Sequence, residues 1–347
     1  MTSVAPETFP RAQRRVLVSY DLPTDPRADI TPGARIIALG GQTMGTTWSV
    51  KAVESDGRDA VFLRHGIEAC LDLVIRQMSN WERDSDISRF NAAAAATWHE
   101  MPDELFSVLD CAFELARATD GAYDPTVGRL VDAWGFGPAS GKTMRPDSTT
   151  LAAARRCRGW DRVQLDPGTR RAFQPGGFAI DLSSIAKGFA VDLVTDYLVA
   201  MGVRHFLVEI GGELRGRGIK PDGMPWWVEL ERPPATADLP PTVVALHGLA
   251  VATAGDYRRY FELGARRYSH VMDPRTGEPV VGPLAAVSVI HRDCMRADAL
   301  ATALFVLGPD EGRAFAARRG IAALFTIRDG SRCHERMTPA LTAMLDD

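Results

Sequence analysis

Residues 181–218, DLSSIAKGFAVDLVTDYLVAMGVRHFLVEIGGELRGRG, constrain the fold more than any other part of the chain. Apolar residues recur there every four positions, which predicts one apolar stripe along a helix. They are Ile185, Phe189, Leu193, Tyr197 and Met201. Ser183 or Ser184 can cap the start of this helix, and Gly202 fits its end. The run HFLVEI then predicts a strand that enters Gly211-Gly212, so a helix leads almost directly into a strand.

The remaining patterns also mix helices and strands. ARIIALGGQTMGTTWSVKAV holds two β-like runs around Gly40-Gly41, and WDRVQLD with RAFQPGGFAIDL predicts a hairpin or meander. Helical periodicity marks residues 60–82 and 103–121, ADALATALFVLG predicts a helix stopped by Gly308-Pro309, and IAALFTI predicts a closing strand. Because several strands are adjacent in sequence, the order favours an α+β fold, with mixed or antiparallel sheets packed with helices.

Composition excludes some classes of protein. The 347 residues are 46% hydrophobic and 24% charged, which is ordinary for a globular protein of one or two domains. The net charge of −4, without a long basic run, argues against a nucleic-acid partner held mainly by charge. The five cysteines form no CxxC pair, so reduced thiols fit better than a disulfide framework or a zinc site.

The first 35 residues are rich in proline and charge, and we expect them to form a flexible extension before a domain over residues 36–347. Arg14-Arg15 is followed by an apolar run too short for a signal peptide. No run of 18 apolar residues predicts a transmembrane segment. These features predict a cytoplasmic protein.

The motif DALAT places Asp298 and Thr302 four residues apart on a predicted helix. Such side chains share one face, and both offer the hard oxygen atoms that suit Mg²⁺. The spacing is common, however, and on spacing alone an ordinary helix with an exposed aspartate is the better interpretation.

Lys187 lies in the first turn of the predicted helix in AIDLSSIAKGFA, where the helix dipole disfavours a positive charge. A helix N-terminus with a lysine can bind a phosphate group. Pairing with the nearby Asp181, or an ordinary capped helix with a solvated lysine, remains open as well.

Two further segments combine turns with chemically useful side chains. GAYDPTVGRLVDAWGFGP places Tyr123, Trp134 and Phe136 among glycines, where they can wall a flat ring or simply pack a loop. SHVMDPRTGEPV holds His270, which can accept a hydroxyl proton, and Arg275, which can bind phosphate in two-point geometry. Taken singly, a structural histidine in a polar turn is the better interpretation.

Together these segments resemble a known family. GQTMGTTWSV, MSNWERDSDISRFN, GAYDPTVGRLVDAWGFGP, IDLSSIAKGFAVD, FLVEIGGELRGRG, VATAGDYRRYF, RYSHVMDPRTGEPV and ADALATALFVLG occur in this order from residue 41 onward. The chain resembles the FAD:protein FMN transferases, the ApbE family, along this whole length.

The resemblance implies an ApbE-like, T-fold-like single catalytic domain that binds FAD as substrate together with Mg²⁺. It implies transfer of FMN to a Thr or Ser hydroxyl of a target flavoprotein, with release of AMP. By motif, the FAD site would be lined by Met44, Trp81, Ala122, Tyr123, Asp124, Asp181, Lys187 and Met272. Asp298, Thr302 and the backbone carbonyl of Ser184 would hold the metal. In this setting we expect His270 to act as the base and Arg275 as a clamp for phosphate or target.

Two other functions stay open at this stage. An FAD pyrophosphatase would let water attack and would release FMN and AMP. A flavin-binding or storage protein would bind FAD without releasing AMP.

Overall fold

The computed structural model describes residues 14–18, 30, 33–54, 59–138, 145–236, 238–264 and 266–345. The helices are α1 Ala60–Met78, α2 Asp86–Asn91, α3 Asp103–Ala118, α4 Gly128–Ala133, α5 Ser148–Arg156, α6 Ala186–Ala200, α7 Cys294–Arg318 and α8 Pro339–Thr342. Strands β1 to β9 are Arg15–Leu17, Ile36–Thr43, Thr46–Val53, Thr97–Glu100, Leu165–Asp166, Arg171–Gln174, Phe206–Ile210, Glu213–Arg217 and Trp226–Glu229. Strands β10 to β18 are Thr242–Leu246, Leu249–Gly255, Tyr260–Leu263, Arg266–Ser269, Met272–Asp273, Glu278–Pro279, Leu284–His291, Ala322–Asp329 and Arg332–Met337.

A large sheet organises these elements. It has eight strands in the order β18-β17-β16-β11-β8-β7-β3-β2, and each neighbouring pair is antiparallel. Helix α6 packs across β7 and β8, helix α7 packs across β11 and β16, and the two helices contact each other. The predicted α+β class, with antiparallel sheets packed with helices, is confirmed.

Helix α6 matches its predicted position but differs in its details. Its N-cap is Ile185 and no side chain caps it, so neither Ser183 nor Ser184 plays the predicted role. Its most buried face carries small and β-branched residues, among them Ala190, Val191 and Val194, because it packs on both a sheet and α7. Of the predicted stripe, Ile185 is buried, whereas Phe189 and the members after it are only partly buried. Gly202 follows the helix with a φ of 69°, which agrees with its predicted position at the helix end.

The first hairpin turns later than the glycines suggested. Strand β2 runs through Gly40-Gly41, and the turn lies at Met44-Gly45, with φ angles of 47° and 71°. A Cβ at Gly41 would lie 2.7 Å from Trp48 Nε1 on the paired strand. Gly41 therefore makes room for a cross-strand indole, and neither glycine reverses the chain.

The predicted flexible extension contains an ordered strand. Strand β1 pairs in parallel with β10, and Leu17 is fully buried. Arg15 forms an ion pair with Glu335, and the Val18 N–H donates to the Met344 carbonyl. The strand is ordered because Leu17 fills a hydrophobic cluster under the large sheet. Of the predicted extension the structure describes only residues 14–18, 30 and 33–35, and the domain boundary at residue 35 stays a prediction.

Helix α7 is two helices joined at a kink. Gly308 has φ 85° and ψ −179°, outside the helical region, and Pro309 follows it. This is the predicted stop at Gly308-Pro309. Within the described part of the chain, no helix is both long and apolar enough to cross a membrane.

Candidate functional site

Three charged side chains meet where α6, β8 and α7 come together. Lys187 Nζ lies 2.7 Å from Glu213 Oε1, at the start of β8, and 3.8 Å from Asp298 Oδ2 on α7. Glu213 is 2% exposed and Asp298 is 6% exposed, whereas the lysine side chain is 29% exposed. We call these residues the Lys187 cluster. Its lysine is the member that a bound ligand can reach most easily.

Gly188 allows the two helices to approach closely enough to build the cluster. A Cβ at this position would lie 2.3 Å from the Cys294 carbonyl oxygen and 2.8 Å from Asp298 Cβ. The Gly188 N–H donates to Asp298 Oδ2 at 3.0 Å. Asp192, one turn further along α6, accepts hydrogen bonds from the Cys294 and Met295 N–H groups and so caps the start of α7. Helix α6 therefore positions both the start of α7 and the carboxylate of Asp298.

The turn between β7 and β8 positions Glu213. Gly211 and Gly212 adopt φ angles of 64° and 105°, which residues other than glycine rarely adopt. The Gly212 N–H donates to Glu209 Oε1 at 3.1 Å, and the Arg258 guanidinium donates to the Gly211 carbonyl at 2.8 Å. A Cβ on Gly211 would lie 3.4 Å from Lys187 Cδ. The turn therefore lies against the stem of the lysine and directs the glutamate to its ammonium group.

The electrostatics of the cluster are unbalanced. Burial raises the pKa of Glu213 and of Asp298, and the charge of Lys187 opposes this increase in both groups. Burial lowers the pKa of Lys187, but the two carboxylates outweigh it, so the pKa stays above its ordinary value. Glu213 Oε2 is buried without a hydrogen bond. Two acidic groups therefore compete for one positive charge, and an added cation would relieve the imbalance.

Oxygen atoms suited to a metal lie beside the cluster. Asp298 and Thr302 share one face of α7, as their spacing predicts, because α7 is regular between them. Gly188 is the third residue of α6, so its N–H is one of the helix N-terminal donors that have no acceptor inside the helix. It donates to Asp298 Oδ2, so the main chain at the start of α6, which follows Ser184 closely, contacts that carboxylate. Carboxylate, hydroxyl and carbonyl oxygens form the kind of donor set that Mg²⁺ prefers.

Clusters of the usual transition-metal ligands do not occur in the described residues, where no three His, Cys, Asp or Glu side chains gather as a metal site. The Ser184 side chain is also engaged elsewhere, since its hydroxyl donates to the Tyr123 hydroxyl at 3.1 Å. Tyr123 is buried, and this burial raises the pKa of its phenol. These contacts fit the expectation that Ser184 would contribute its main chain, not its side chain, to a metal.

His270 directly follows β13 and is held by one carbonyl group. Its backbone N–H and its Nδ1 each lie 3.1 Å from the Arg259 carbonyl oxygen. Because a carbonyl only accepts, Nδ1 carries the proton and Nε2 keeps a free lone pair. Burial lowers the pKa of His270 to about 4, and the charges of Lys187 and Asp181 also act on the ring. The imidazole is therefore neutral near pH 7, with Nε2 available to accept a proton.

Arg275 is already paired. Its guanidinium donates to both oxygens of Asp273, at 3.0 and 3.1 Å, and to the Val306 carbonyl at 3.3 Å. Val306 lies eight residues beyond Asp298 on α7, a distance of about 12 Å along the helix. The predicted phosphate clamp would have to give up an existing ion pair and reach back along α7.

The aromatic side chains of residues 121–138 are packed. Trp134 is fully buried, stacks on Tyr268 with ring centroids 5.4 Å apart, and donates its Nε1–H to the Gly277 carbonyl. Phe136 is buried with its ring edge-on to His270, 6.4 Å between centroids. For Trp134 the packing interpretation was therefore the better one, while Phe136 supports the histidine ring.

The residues predicted to line the FAD site fall into two groups. Met44 lies in the β2–β3 turn, whose residues 42–47 line a cleft of about 460 Å³, and Trp81 is 61% exposed. Both can meet a ligand directly. A Cβ on Gly211 would lie 2.9 Å from Thr46 Cγ2, so this turn also borders the Lys187 cluster. Ala122 and Met272 are buried, so any contact from them requires their main chain or a shift of the surroundings.

Asp124 has a structural role. Its Oδ1 accepts from the Thr126 N–H and hydroxyl at 2.8 and 2.7 Å, and its Oδ2 accepts from the Trp160 N–H at 3.2 Å. Its pKa is nevertheless raised by burial. Asp181 lies on the segment before α6, and its Oδ1 accepts from the Ser183 N–H at 2.8 Å. Asp124 therefore shapes the loop, and Asp181 is the aspartate better placed for a ligand.

Sequence reasoning missed two residues of the site. Glu213 stands in the segment FLVEIGGELRGRG, where a charge directly after Gly-Gly in an apolar strand was an available signal. Asn91 was not singled out either. Its side chain accepts from the Ile180 N–H at 2.8 Å and donates to the Ile180 carbonyl at 2.9 Å, and so it holds the segment that carries Asp181.

Comparisons with known proteins agree with this arrangement. The ApbE family model matches residues 44–325. The chain is 38% identical over 296 residues to an FAD:protein FMN transferase of Vibrio cholerae, covering 85% of this chain and 88% of that protein. It is also 38% identical over 301 residues to the protein of the same name from Haemophilus influenzae, covering 85% and 87%.

A solved structure resembles the fold equally well. The apo form of the Pseudomonas stutzeri flavinyl transferase ApbE superposes with a TM-score of 0.84 at 42% identity, covering 90% of this chain and 97% of that chain. The matched range contains Met44, Lys187, Glu213, His270 and Asp298. On the extent of these similarities, the chain belongs to the ApbE family.

Proposed function

We propose that this protein is an FAD:protein FMN transferase, which moves FMN from FAD onto a Thr or Ser hydroxyl of a target flavoprotein and releases AMP. The Lys187 cluster, in which Asp298 also accepts from the Gly188 N–H, is the observation that supports this proposal most directly. The relatives named above are similar over most of the chain and have this activity as their name.

Lys187 and the start of α6 form the proposed binding site for the FAD pyrophosphate. The lysine is charged, partly exposed and in the first turn of the helix, where the N–H groups also favour an anion. Met44 and Trp81 are proposed to contact the flavin from the surface side, with Tyr123, Asp181 and the main chain near Ala122, Asp124 and Met272 completing the site.

Asp298, Thr302 and the Ser184 carbonyl are the proposed ligands of Mg²⁺, which when bound neutralises charge on the pyrophosphate as the bond to AMP breaks. The chain's own contribution is to hold these oxygens ready. Gly188 fixes one oxygen of Asp298, and the unbalanced charges of the cluster favour a cation.

His270 is the proposed base. The acceptor hydroxyl oxygen attacks the phosphorus of the FMN half, its proton passes to His270 Nε2, and the phosphoanhydride bond breaks so that AMP leaves. The Arg259 carbonyl holds the tautomer that this step requires. Arg275 remains a proposed contact to the target protein, because its place in the exposed turn suits a partner more than the cluster.

The proposed function is tested by incubating the purified protein with FAD, Mg²⁺ and candidate flavoproteins. Flavin fluorescence that stays on the target in a denaturing gel, with AMP formed in equal amount, is the expected result. Free FMN with AMP and no labelled target would indicate the pyrophosphatase instead. Bound FAD without AMP would indicate a flavin-binding protein.

His270→Ala is expected to slow FMN transfer by about 10²–10⁴-fold while FAD affinity changes little, because general-base help acts in the reaction step. His65→Ala, an exposed histidine on α1, is the matched control and should retain the normal rate. Binding is followed by flavin fluorescence and transfer by target labelling. Equal losses in binding and rate would show that His270 only braces the turn.

The cytoplasmic location expected from the sequence also remains a proposal. Fractionation of the native cells, followed by detection of this protein, would test it.

A further inference from the structure

We propose that Glu213 is a positioning residue that restrains Lys187 so that Asp298 stays available to a divalent cation. The inference rests on the proposed function, because it assumes a metal at Asp298. It assigns a role to a buried carboxylate that takes no part in the proposed chemical steps.

The ammonium group of Lys187 lies closer to one of its two carboxylate partners than to the other. Lys187 Nζ is in hydrogen-bond contact with Glu213 Oε1 at 2.7 Å, whereas its distance to Asp298 Oδ2 is 3.8 Å. That longer distance is an ion pair without a hydrogen bond. The ammonium group therefore belongs mainly to Glu213, although Asp298 is close enough to capture it.

The side chain of Glu213 has less freedom to move than that of Lys187. It is 2% exposed, and it follows a turn whose glycines adopt left-handed conformations. Arg258 holds this turn from the other side through the Gly211 carbonyl and pairs with Glu231. Lys187, with its long flexible side chain and partial exposure, is the partner that can move.

Removal of Glu213 would change the partner of the lysine. A lysine that loses its 2.7 Å contact has Asp298 as the next acceptor, and a movement of about 1 Å brings Nζ within hydrogen-bond distance. The ammonium would then occupy the carboxylate that the proposed metal needs and would repel the cation. Glu213 prevents both effects because its ion pair with Lys187 balances the lysine charge and keeps Nζ away from Asp298.

The second carboxylate oxygen of Glu213, Oε2, supports a positioning role for this residue. It is buried and makes no hydrogen bond, although leaving such an oxygen unpaired is costly. A purely structural carboxylate in a buried hairpin would be expected to satisfy both oxygens. The cost of the unpaired oxygen is understandable when Glu213 is needed to hold an ammonium group beside a cation site.

The test measures metal binding separately from turnover. Mn²⁺ replaces Mg²⁺ as the probe, and free Mn²⁺ is followed by electron paramagnetic resonance in the presence of FAD and without acceptor protein. Glu213→Met, which removes the acceptor at similar volume, should weaken Mn²⁺ binding by about tenfold or more, because Lys187 turns to Asp298. Glu213→Gln keeps an amide oxygen for Nζ and should show a smaller loss.

The double variant Glu213→Met/Lys187→Met separates positioning from structure. Once the released ammonium is removed, Mn²⁺ affinity should return to within about twofold to threefold of the unmodified protein, although transfer stays slow because Lys187 is lost. Asp196→Asn, an exposed carboxylate further along α6, is the control for loss of a negative charge and should keep normal Mn²⁺ affinity.

The outcomes distinguish the two proposals. If Asp298→Ala binds Mn²⁺ as well as the unmodified protein, the metal site itself is wrong. If Asp298→Ala loses binding while Glu213→Met retains it, the metal site stands and the role of Glu213 is wrong. Failure of the double variant to recover affinity would likewise overturn the positioning role, since it would show that Glu213 acts through the fold.

Discussion

Substitution of Gly188 by alanine is expected to reverse the usual effect of this change in a helix. Alanine normally stabilises a helix interior by up to about 1 kcal/mol relative to glycine. At this position the new Cβ would lie 2.3 Å from the Cys294 carbonyl oxygen, and backbone cannot move aside as a flexible side chain can. Overpacking of this kind costs about 1–3 kcal/mol. We therefore expect a net loss of about 1–2 kcal/mol in the free energy of unfolding.

The effect on activity should be larger than the effect on stability. Separation of α6 from α7 would pull the Gly188 N–H away from Asp298 Oδ2 and displace the carboxylate relative to Lys187. A misplacement of about 1 Å at a reacting site can cost on the order of 10²-fold in rate. Gly188→Ala should therefore transfer FMN about 10²-fold more slowly at saturating FAD and Mg²⁺.

Urea unfolding and target labelling on the same preparation measure the two effects. Val199→Ala, at an exposed position near the other end of α6, is the control and should change the free energy of unfolding by less than about 0.5 kcal/mol. A Gly188→Ala variant as stable and as active as the unmodified protein would refute the argument that this glycine sets the distance between the helices.

Two other expected outcomes concern the N-terminal strand and the pH dependence. Leu17→Ala should lower the free energy of unfolding by about 2–5 kcal/mol, measured by urea denaturation, because Leu17 is fully buried; a change below about 0.5 kcal/mol would show that β1 does not contribute to the core. The rate of FMN transfer should lose the contribution of the base only as pH falls toward the His270 pKa of about 4, since the depressed pKa keeps the imidazole neutral above it. A pH–rate profile of kcat with an acid limb centred near 6.5, the ordinary histidine pKa, would contradict this assignment.

Local patterns predicted the elements better than their connections. The position of α6, the stop at Gly308-Pro309 and the α+β class followed from periodicity and glycine placement. The β2–β3 turn did not, because Met44 adopts a left-handed conformation that its residue type disfavours, while Gly40-Gly41 serves a neighbouring strand. Strand β1 was missed since three residues have no detectable period and their partner strand is more than 220 residues away in sequence.

In the candidate site, too, local spacing was predicted correctly and long-range contacts were not. The i, i+4 spacing correctly placed Asp298 and Thr302 on one helix face, and the structure brings Lys187 to that face as well. Motif reasoning could not show that Glu213 contacts the lysine, because this contact depends on the packing of a strand against two helices. It also could not show that Asp124 and Trp134 are occupied by internal hydrogen bonds.

The pairing of β1 affects how the protein is made. Strand β1 precedes the other described strands in sequence, yet its neighbour β10 begins at Thr242, and its other contacts, Glu335, Met344 and Leu345, lie 320 residues or more further along. Strand β1 can therefore complete its contacts only after these distant segments have been synthesised. Contacts between such distant residues form slowly because a long loop has to close. A chain that stops before residue 335 would leave the pocket of Leu17 incomplete, so burial of Leu17 depends on residues 335–345.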